Sequence, residues 1–165
     1  MIINHPIEPV FDTDSKVLIL GTMPSPKSRE NGFFYTHPQN RFWPVLATVL
    51  GEPLPLDNAQ RKALLLKHRI AMWDVLRSCE IKGASDGSIR QPVANDLNII
   101  LKRSRVRSVF TTGGKATALY RKHCLPSTRI EPVALPSTSP ANQGRFDMAA
   151  LIKEYAVIAE ALKEG

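Results

Sequence analysis

The chain is predicted to be an α/β protein in which helices cover a parallel sheet, and two features of its pattern carry that prediction. Four short apolar runs, each closed by small, polar or turn-forming residues, are spaced along its 165 residues. The segments between them carry apolar residues at helical intervals. Strands that alternate with helices pair in parallel, because the helix carries the chain back to the start of the next strand. The length suits one domain spanning residues 1–165, with a core that needs neither a disulfide nor a cofactor for stability.

In chain order the runs are VLIL at 17–20, IAMWDVL at 70–76, VRSVF at 106–110 and IEPVAL at 130–135. The expected helices are 41–50, 59–68, 96–103, 115–123 and 147–163. Asn95 or Asp96 is placed to cap the third, and Gly113-Gly114 opens the fourth. The last carries Ala150, Leu151, Ile152, Tyr155, Val157, Ile158 and Leu162, a broad stripe that reads as a packing face. The Pro-rich pieces GEPLPL and HCLPSTRIEPVALPSTSP are short enough to be connections within one domain.

Lysine and arginine outnumber aspartate and glutamate by 22 to 15, for a net charge of +7. Such a surface favours a polyanionic partner, since neutralising phosphates releases condensed counterions. A merely basic soluble protein would carry the same charge. Cys79 and Cys124 belong to no CxxC or Cys/His spacing, which excludes zinc or iron–sulfur sites built from thiols alone and suits reduced, intracellular thiols. The first residues lack an apolar signal region, and no segment reaches membrane-spanning length, so a cytoplasmic protein with no membrane contact is expected.

In a parallel sheet, ligands sit outside the carboxyl ends of the strands. The segments expected there are 21–43, 74–92, 111–115 and 136–145. The first, GTMPSPKSRENGFFYTHPQNRFW, packs turn-formers, basic residues, three consecutive aromatics and an Asn-Arg pair into one loop. Aromatics and amides in a long loop make a poor core and a good pocket for a flat, hydrogen-bonding ring, which points to a nucleobase. Phe33, Phe34 and Tyr35 are the stacking candidates, with Phe34 favoured for the pocket and at least one of the three packing inward. Arg41, Phe42 and Trp43 read as anchors of the loop, and His37 as an exposed loop histidine.

Lys27, Arg29 and Arg145 are candidate phosphate contacts, lifted above ordinary surface charge only by their convergence. Taken alone, the segment LPSTSPANQGRF reads as a turn and helix cap. Its hydroxyls, those of Ser137 and Ser139 among them, are also suited to phosphate. Asp86 and Arg90 are expected to pair and brace their loop. Lys115 follows two glycines, but the Walker A spacing is absent and nucleoside triphosphate hydrolysis is not indicated.

Taken together, GTMPSPKS at 21–28, GFFYTHPQNRFWPVL at 32–46, WDVL at 73–76, GASDGSIRQPVAND at 83–96 and LPSTSPAN at 135–142 resemble the uracil-DNA glycosylase superfamily. The likeness is strongest to its hypoxanthine-DNA (deoxyinosine) glycosylase branch, related to the mismatch-specific enzymes. It implies a three-layer α/β/α fold with a four-stranded parallel sheet between helices. It also implies a monofunctional glycosylase that flips a deaminated base, hypoxanthine first and uracil second, out of DNA and hydrolyses its N-glycosidic bond; a monomer without cofactor or metal is expected. The implied base pocket comprises Gly21, Met23, Phe33, Phe34 and Thr112, and Asn142 or Gln143 would enter the vacated base stack.

Three positions depart from the pattern of many relatives. Met23 stands where an acidic or amide residue positions the water, Ser137 where a histidine stabilises the leaving base, and Thr112 where an asparagine reads the base edge. A thioether cannot hold or activate water. The resemblance moves that role to Asn40, whose side-chain oxygen is expected to orient the water and face the developing sugar cation. The competing expectations are a catalytically idle nucleic-acid-binding module of the same fold and a hydrolase of free nucleosides.

Overall fold

The expected strands pair in parallel, but with shifted ends and in company with a second sheet that the apolar pattern does not announce. A computed structural model describes residues 1–142 and 144–164. The chain runs through β1 (Ile2–Asn4), β2 (Val17–Gly21), α1 (Pro26–Asn31), α2 (Phe42–Leu50), α3 (Asn58–Lys67), β3 (Ile70–Asp74), β4 (Leu76–Lys82) and β5 (Ser85–Ala94). It continues through α4 (Asn98–Leu101), β6 (Ser108–Thr112), α5 (Gly114–His123), α6 (Leu125–Thr128), β7 (Pro132–Leu135), a 3-10 turn at Pro140–Asn142 and α7 (Met148–Lys163).

The four-stranded parallel sheet has the order β3-β2-β6-β7 and is flanked by helices. All residues of β2 and β3 are buried, as strands covered on both faces must be. Helices α2 and α7 pack on each other, α7 reaches β2, and α5 lies against β6 and β7. Among the described residues no helix is long and apolar enough to cross a membrane. Cys79 and Cys124 are free and buried, and burial pushes the Cys124 thiol up to about 11.

The run IAMWDVL is not one strand. Its first five residues form β3, and after Val75 the chain passes into β4 of an antiparallel sheet of order β1-β4-β5. Most of the segment expected to be an open loop, 74–92, is therefore a β-hairpin, and β4 pairs with β5 through several register shifts. Burial identified the apolar run but not where it changes partner, because both halves are equally apolar.

The expected third and fourth strands begin two residues late. The backbone at Arg105 and Arg107 donates to Ser15 O and Lys16 O instead, and Ile130 O accepts the Tyr120 hydroxyl before β7 starts. Segment 21–43 is not all loop either. Ser25 caps α1 by accepting from Ser28 N at 3.1 Å, and Gly32 ends it in the left-handed region at φ 72°. The expected helix at 96–103 is reduced to α4, with the Asp96 carboxylate accepting from Asn98 N.

Asn95 does not cap that helix. It is buried, and its Nδ2 donates to Asp74 O at 2.9 Å and Leu76 O at 3.1 Å, while Asn95 N donates to Val75 O at 2.8 Å. It thus clamps both sides of the joint between the two sheets. Asn95→Ala leaves two buried carbonyls without a donor and is expected to lower stability by about 1–3 kcal/mol, measured by urea denaturation.

Candidate active site

The parallel sheet reverses its winding between β2 and β6, the place where doubly wound sheets open a crevice at the carboxyl ends of their strands. A cleft of about 330 Å³ lies there, within the roughly 300–1,000 Å³ typical of small-molecule sites. The ends of β2, β3 and β6, the loop after α1, the β4–β5 hairpin and the loop after β7 all contribute to its wall. The convergence expected of the four loops is therefore found.

The floor is built around Gly21. A Cβ there would lie 2.5 Å from Asp74 Oδ1 and 2.9 Å from the Tyr35 hydroxyl, so only glycine lets the three segments meet. Tyr35 sits in the left-handed region at φ 55°, a conformation disfavoured for a bulky residue, and its ring stacks on Phe42 at 4.1 Å. Its hydroxyl meets Thr112 Oγ1 at 2.8 Å, and Thr112 in turn donates to Leu20 O at 3.3 Å, so the Tyr35 proton points at Thr112. Burial and the nearby Asp74 carboxylate push the Tyr35 pKa well above its ordinary value, and the phenol stays protonated.

Asp74 closes β3 and is buried. Its Oδ2 accepts from His5 Nε2 at 2.8 Å, whereas Oδ1 has no donor among the described residues and lies against Gly21 on the cleft wall. Asp86, on β5, also faces the cleft. Desolvation and then the Asp74 charge raise its pKa, with Lys115 opposing the rise. The expected Asp86–Arg90 pair is absent, because Arg90 instead donates to Gly87 O and Ile89 O.

Asn40 lines the cleft beneath the loop after β7. Its Oδ1 accepts from Phe42 N at 2.9 Å and from the Thr138 hydroxyl at 2.7 Å. A backbone N–H can only donate, so the amide orientation is settled and both lone pairs of Oδ1 are engaged. This corrects the expectation that the oxygen orients a water. The group left for a ligand is the Nδ2 amide. Thr138 O also accepts from Arg41 N at 3.2 Å, which staples the two loops together.

Other expected residues divide by location. Gly21, Met23, Phe34 and Thr112 line the cleft, as do Ser137 and Ser139. Phe33 does not: it is buried against Trp43 and Phe34, at ring separations of 5.9 and 5.5 Å, and belongs to the core. Trp43, whose Nε1 donates to Phe34 O, and Phe42 are buried anchors as expected. His37 is half-buried at the rim rather than exposed.

The basic phosphate candidates and the stack candidate Asn142 lie outside the lining of this cleft. Lys27 pairs with Glu30 at 3.5 Å and Arg29 donates to Pro24 O at 2.8 Å. Asn142 turns back to donate to Ser137 O, so its side chain braces the loop instead of projecting from it. With the exposed Arg145 it borders a second hollow of about 650 Å³ beside the N-terminus of α5. Gln143 lies outside the described residues.

Residues 8–164 match the family model described as the uracil DNA glycosylase superfamily. The chain belongs to that superfamily. It is 31% identical over 136 residues to a hypoxanthine DNA glycosylase of Methanosarcina barkeri, covering 82% of this chain and 85% of the relative. A hypoxanthine DNA glycosylase of Methanosarcina acetivorans is 30% identical over 135 residues, covering 81% and 85%. The NMR structure of a candidate uracil DNA glycosylase from M. acetivorans superposes with a TM-score of 0.83 at 28% identity, covering 99% of this chain and 100% of that one.

Sequence reasoning missed Asp74 and Thr138 on the wall of this superfamily cleft, and His5 as the buried donor behind Asp74. Asp74 was hidden inside an apolar run, yet a carboxylate at the end of a buried strand was the signal available. The fit around Gly21 makes it the most demanding position: Gly21→Ala is expected to cost about 1–3 kcal/mol, read from thermal or chemical unfolding, with loss of the Asp74–Tyr35 approach.

Proposed function

We propose that this chain is a monofunctional DNA glycosylase that removes deaminated bases from DNA, hypoxanthine foremost and uracil second, as a single-domain, cytoplasmic monomer without a cofactor. The observation that carries the reading is the pairing, in one base-sized cleft, of a free acceptor at Asp74 Oδ1 with a free donor at Asn40 Nδ2. The two hypoxanthine DNA glycosylases of Methanosarcina support the choice of base.

Deamination turns a ring nitrogen from an acceptor into a donor. Hypoxanthine carries N1–H where adenine has a lone pair, and uracil carries N3–H where cytosine has one. An unprotonated Asp74 Oδ1 accepts the former and repels the latter, and a mispaired donor and acceptor in a buried site is costly. Guanine shares the N1–H and has to be refused through its 2-amino group. A carboxylate beside a departing base does nothing to speed its departure, so Asp74 serves selection.

The chemistry is a displacement at C1′. The C1′–N bond breaks with its electron pair passing to the base, the sugar takes on oxocarbenium character, and a water oxygen bonds to C1′ while its proton passes to solvent or to the base. A cation this electrophilic accepts neutral water, so the site needs a fixed dipole to hold that water rather than a strong base. Asn40 Nδ2 holds it by donating to one lone pair and leaving the other to attack. Thr138 and Phe42 N keep the amide turned the right way. Phe34 and Tyr35 bound the ring faces, and the net positive charge draws the chain to DNA.

Duplex oligonucleotides carrying deoxyinosine or deoxyuridine, assayed for free base, test this. The wild-type chain is expected to release hypoxanthine faster than uracil. Asn40→Asp, which retains the oxygen that Thr138 and Phe42 N engage but not the amide donor, is expected to fold normally, bind the duplex and release base about 100-fold more slowly. Silence of the wild-type protein on both lesions would leave a DNA-binding module of this fold, and full activity of Asn40→Asp would refute the donor role.

A further inference from the structure

We propose that His5 is a positioning residue for base selection: its Nε2–H holds the buried Asp74 carboxylate as an unprotonated acceptor turned toward the cleft. This rests on reading the cleft as a base pocket. His5 precedes residues 8–164, the stretch that matches the superfamily, so the group is supplied by the N-terminal segment of this chain.

The segment is tied down on both sides of the joint that carries Asp74. On one side Val10 forms an antiparallel bridge with Met72 of β3, and on the other Asn4 pairs with Ser78 of β4. His5 N donates to Arg77 O at 2.7 Å, which delivers its ring to Asp74. The two side chains are only 2% and 5% exposed, and the ring lies 6.0 Å from Phe34 and 6.3 Å from Trp73.

The proton on this ring has one place to be. Ile7 N donates to His5 Nδ1 at 3.2 Å, and an N–H donor requires a lone pair there. Nε2 therefore carries the hydrogen and donates to Asp74 Oδ2 at 2.8 Å. The pair is directional: Oδ2 is satisfied inside the protein and Oδ1 is left for whatever enters the cleft.

The groups facing Asp74 are His5 from the segment after β1, Tyr35 from the loop after α1, and Asp86 from β5. Tyr35 gives its proton to Thr112, and Asp86 is itself an acid. His5 is therefore the one side chain among the described residues that donates to this carboxylate. Without it, a buried carboxylate beside a second one takes up a proton more readily. A protonated Asp74 offers O–H to the ligand, the complement of adenine N1 or cytosine N3, and the sense of the selection is reversed.

The test uses the full chain with His5→Leu, which fills the space without a donor, and His5→Gln, which keeps an N–H. Carbon-13 NMR of the aspartate carboxyls follows Asp74 directly, with Asp74→Asn assigning the resonance, and hypoxanthine release is measured across the same pH range. In His5→Leu the Asp74 carboxyl is expected to stay protonated to higher pH than in wild type, with hypoxanthine release falling about tenfold below wild type on the acid side of the range and recovering as the pH is raised. His5→Gln is expected to track wild type.

An Asp74 midpoint unmoved in His5→Leu, or an equal loss of activity at every pH in both variants, would overturn the role. A wild-type protein that releases no base would instead count against the glycosylase reading, with the carboxyl titration still deciding the role of His5.

Discussion

The site depends on one joint, where the chain leaves the parallel sheet at Asp74 and enters the antiparallel sheet at Leu76. Val75 N donates to Gly21 O at 2.8 Å and Leu76 N to Thr22 O at 3.1 Å, so the joint is hydrogen-bonded to the end of the neighbouring strand. Asn95 holds its carbonyls from the other side. A strand that ended one residue earlier or later would turn Asp74 to the opposite face, because side chains alternate along a strand. The placement of the carboxylate is thus a matter of register.

Around that joint the cleft combines electrostatic features that oppose the surface. The chain as a whole is positive, which brings a polyanion near and makes binding sensitive to salt. The cleft instead presents two carboxylates, Asp74 and Asp86, the first deeply buried. A phosphate would be repelled from such a floor, whereas a neutral ring with one N–H fits it. On the proposed reading, attraction at long range and selection at short range are carried by different residues.

Asn40 and Thr138 show how a loop motif becomes a device only in three dimensions. They are 98 residues apart, yet the Thr138 hydroxyl and the α2 N-terminus between them occupy the Asn40 oxygen and so aim its amide. Sequence could single out Asn40 as the polar group of its loop. Which end of the amide remained free was decided by a partner on another loop. The same holds for Phe33, Phe34 and Tyr35, equivalent in composition, which the fold sends to the core, the cleft wall and a strained position bonded to Thr112.

What the sequence by itself determined was the alternation of buried strands with amphipathic helices, hence the parallel α/β sheet, and the edge at which the functional loops gather. These follow from local periodicity and from the rule that parallel sheets open at their carboxyl ends. Family membership was legible too, since the motifs at 21–28, 32–46 and 135–142 are contiguous. Tertiary structure alone decided where IAMWDVL changes sheets, that 74–92 is mostly a hairpin, and that His5 reaches Asp74 across 69 positions of chain. Those outcomes depend on long-range pairing and on the direction of individual hydrogen bonds, and neither leaves a periodic trace in the order of residues.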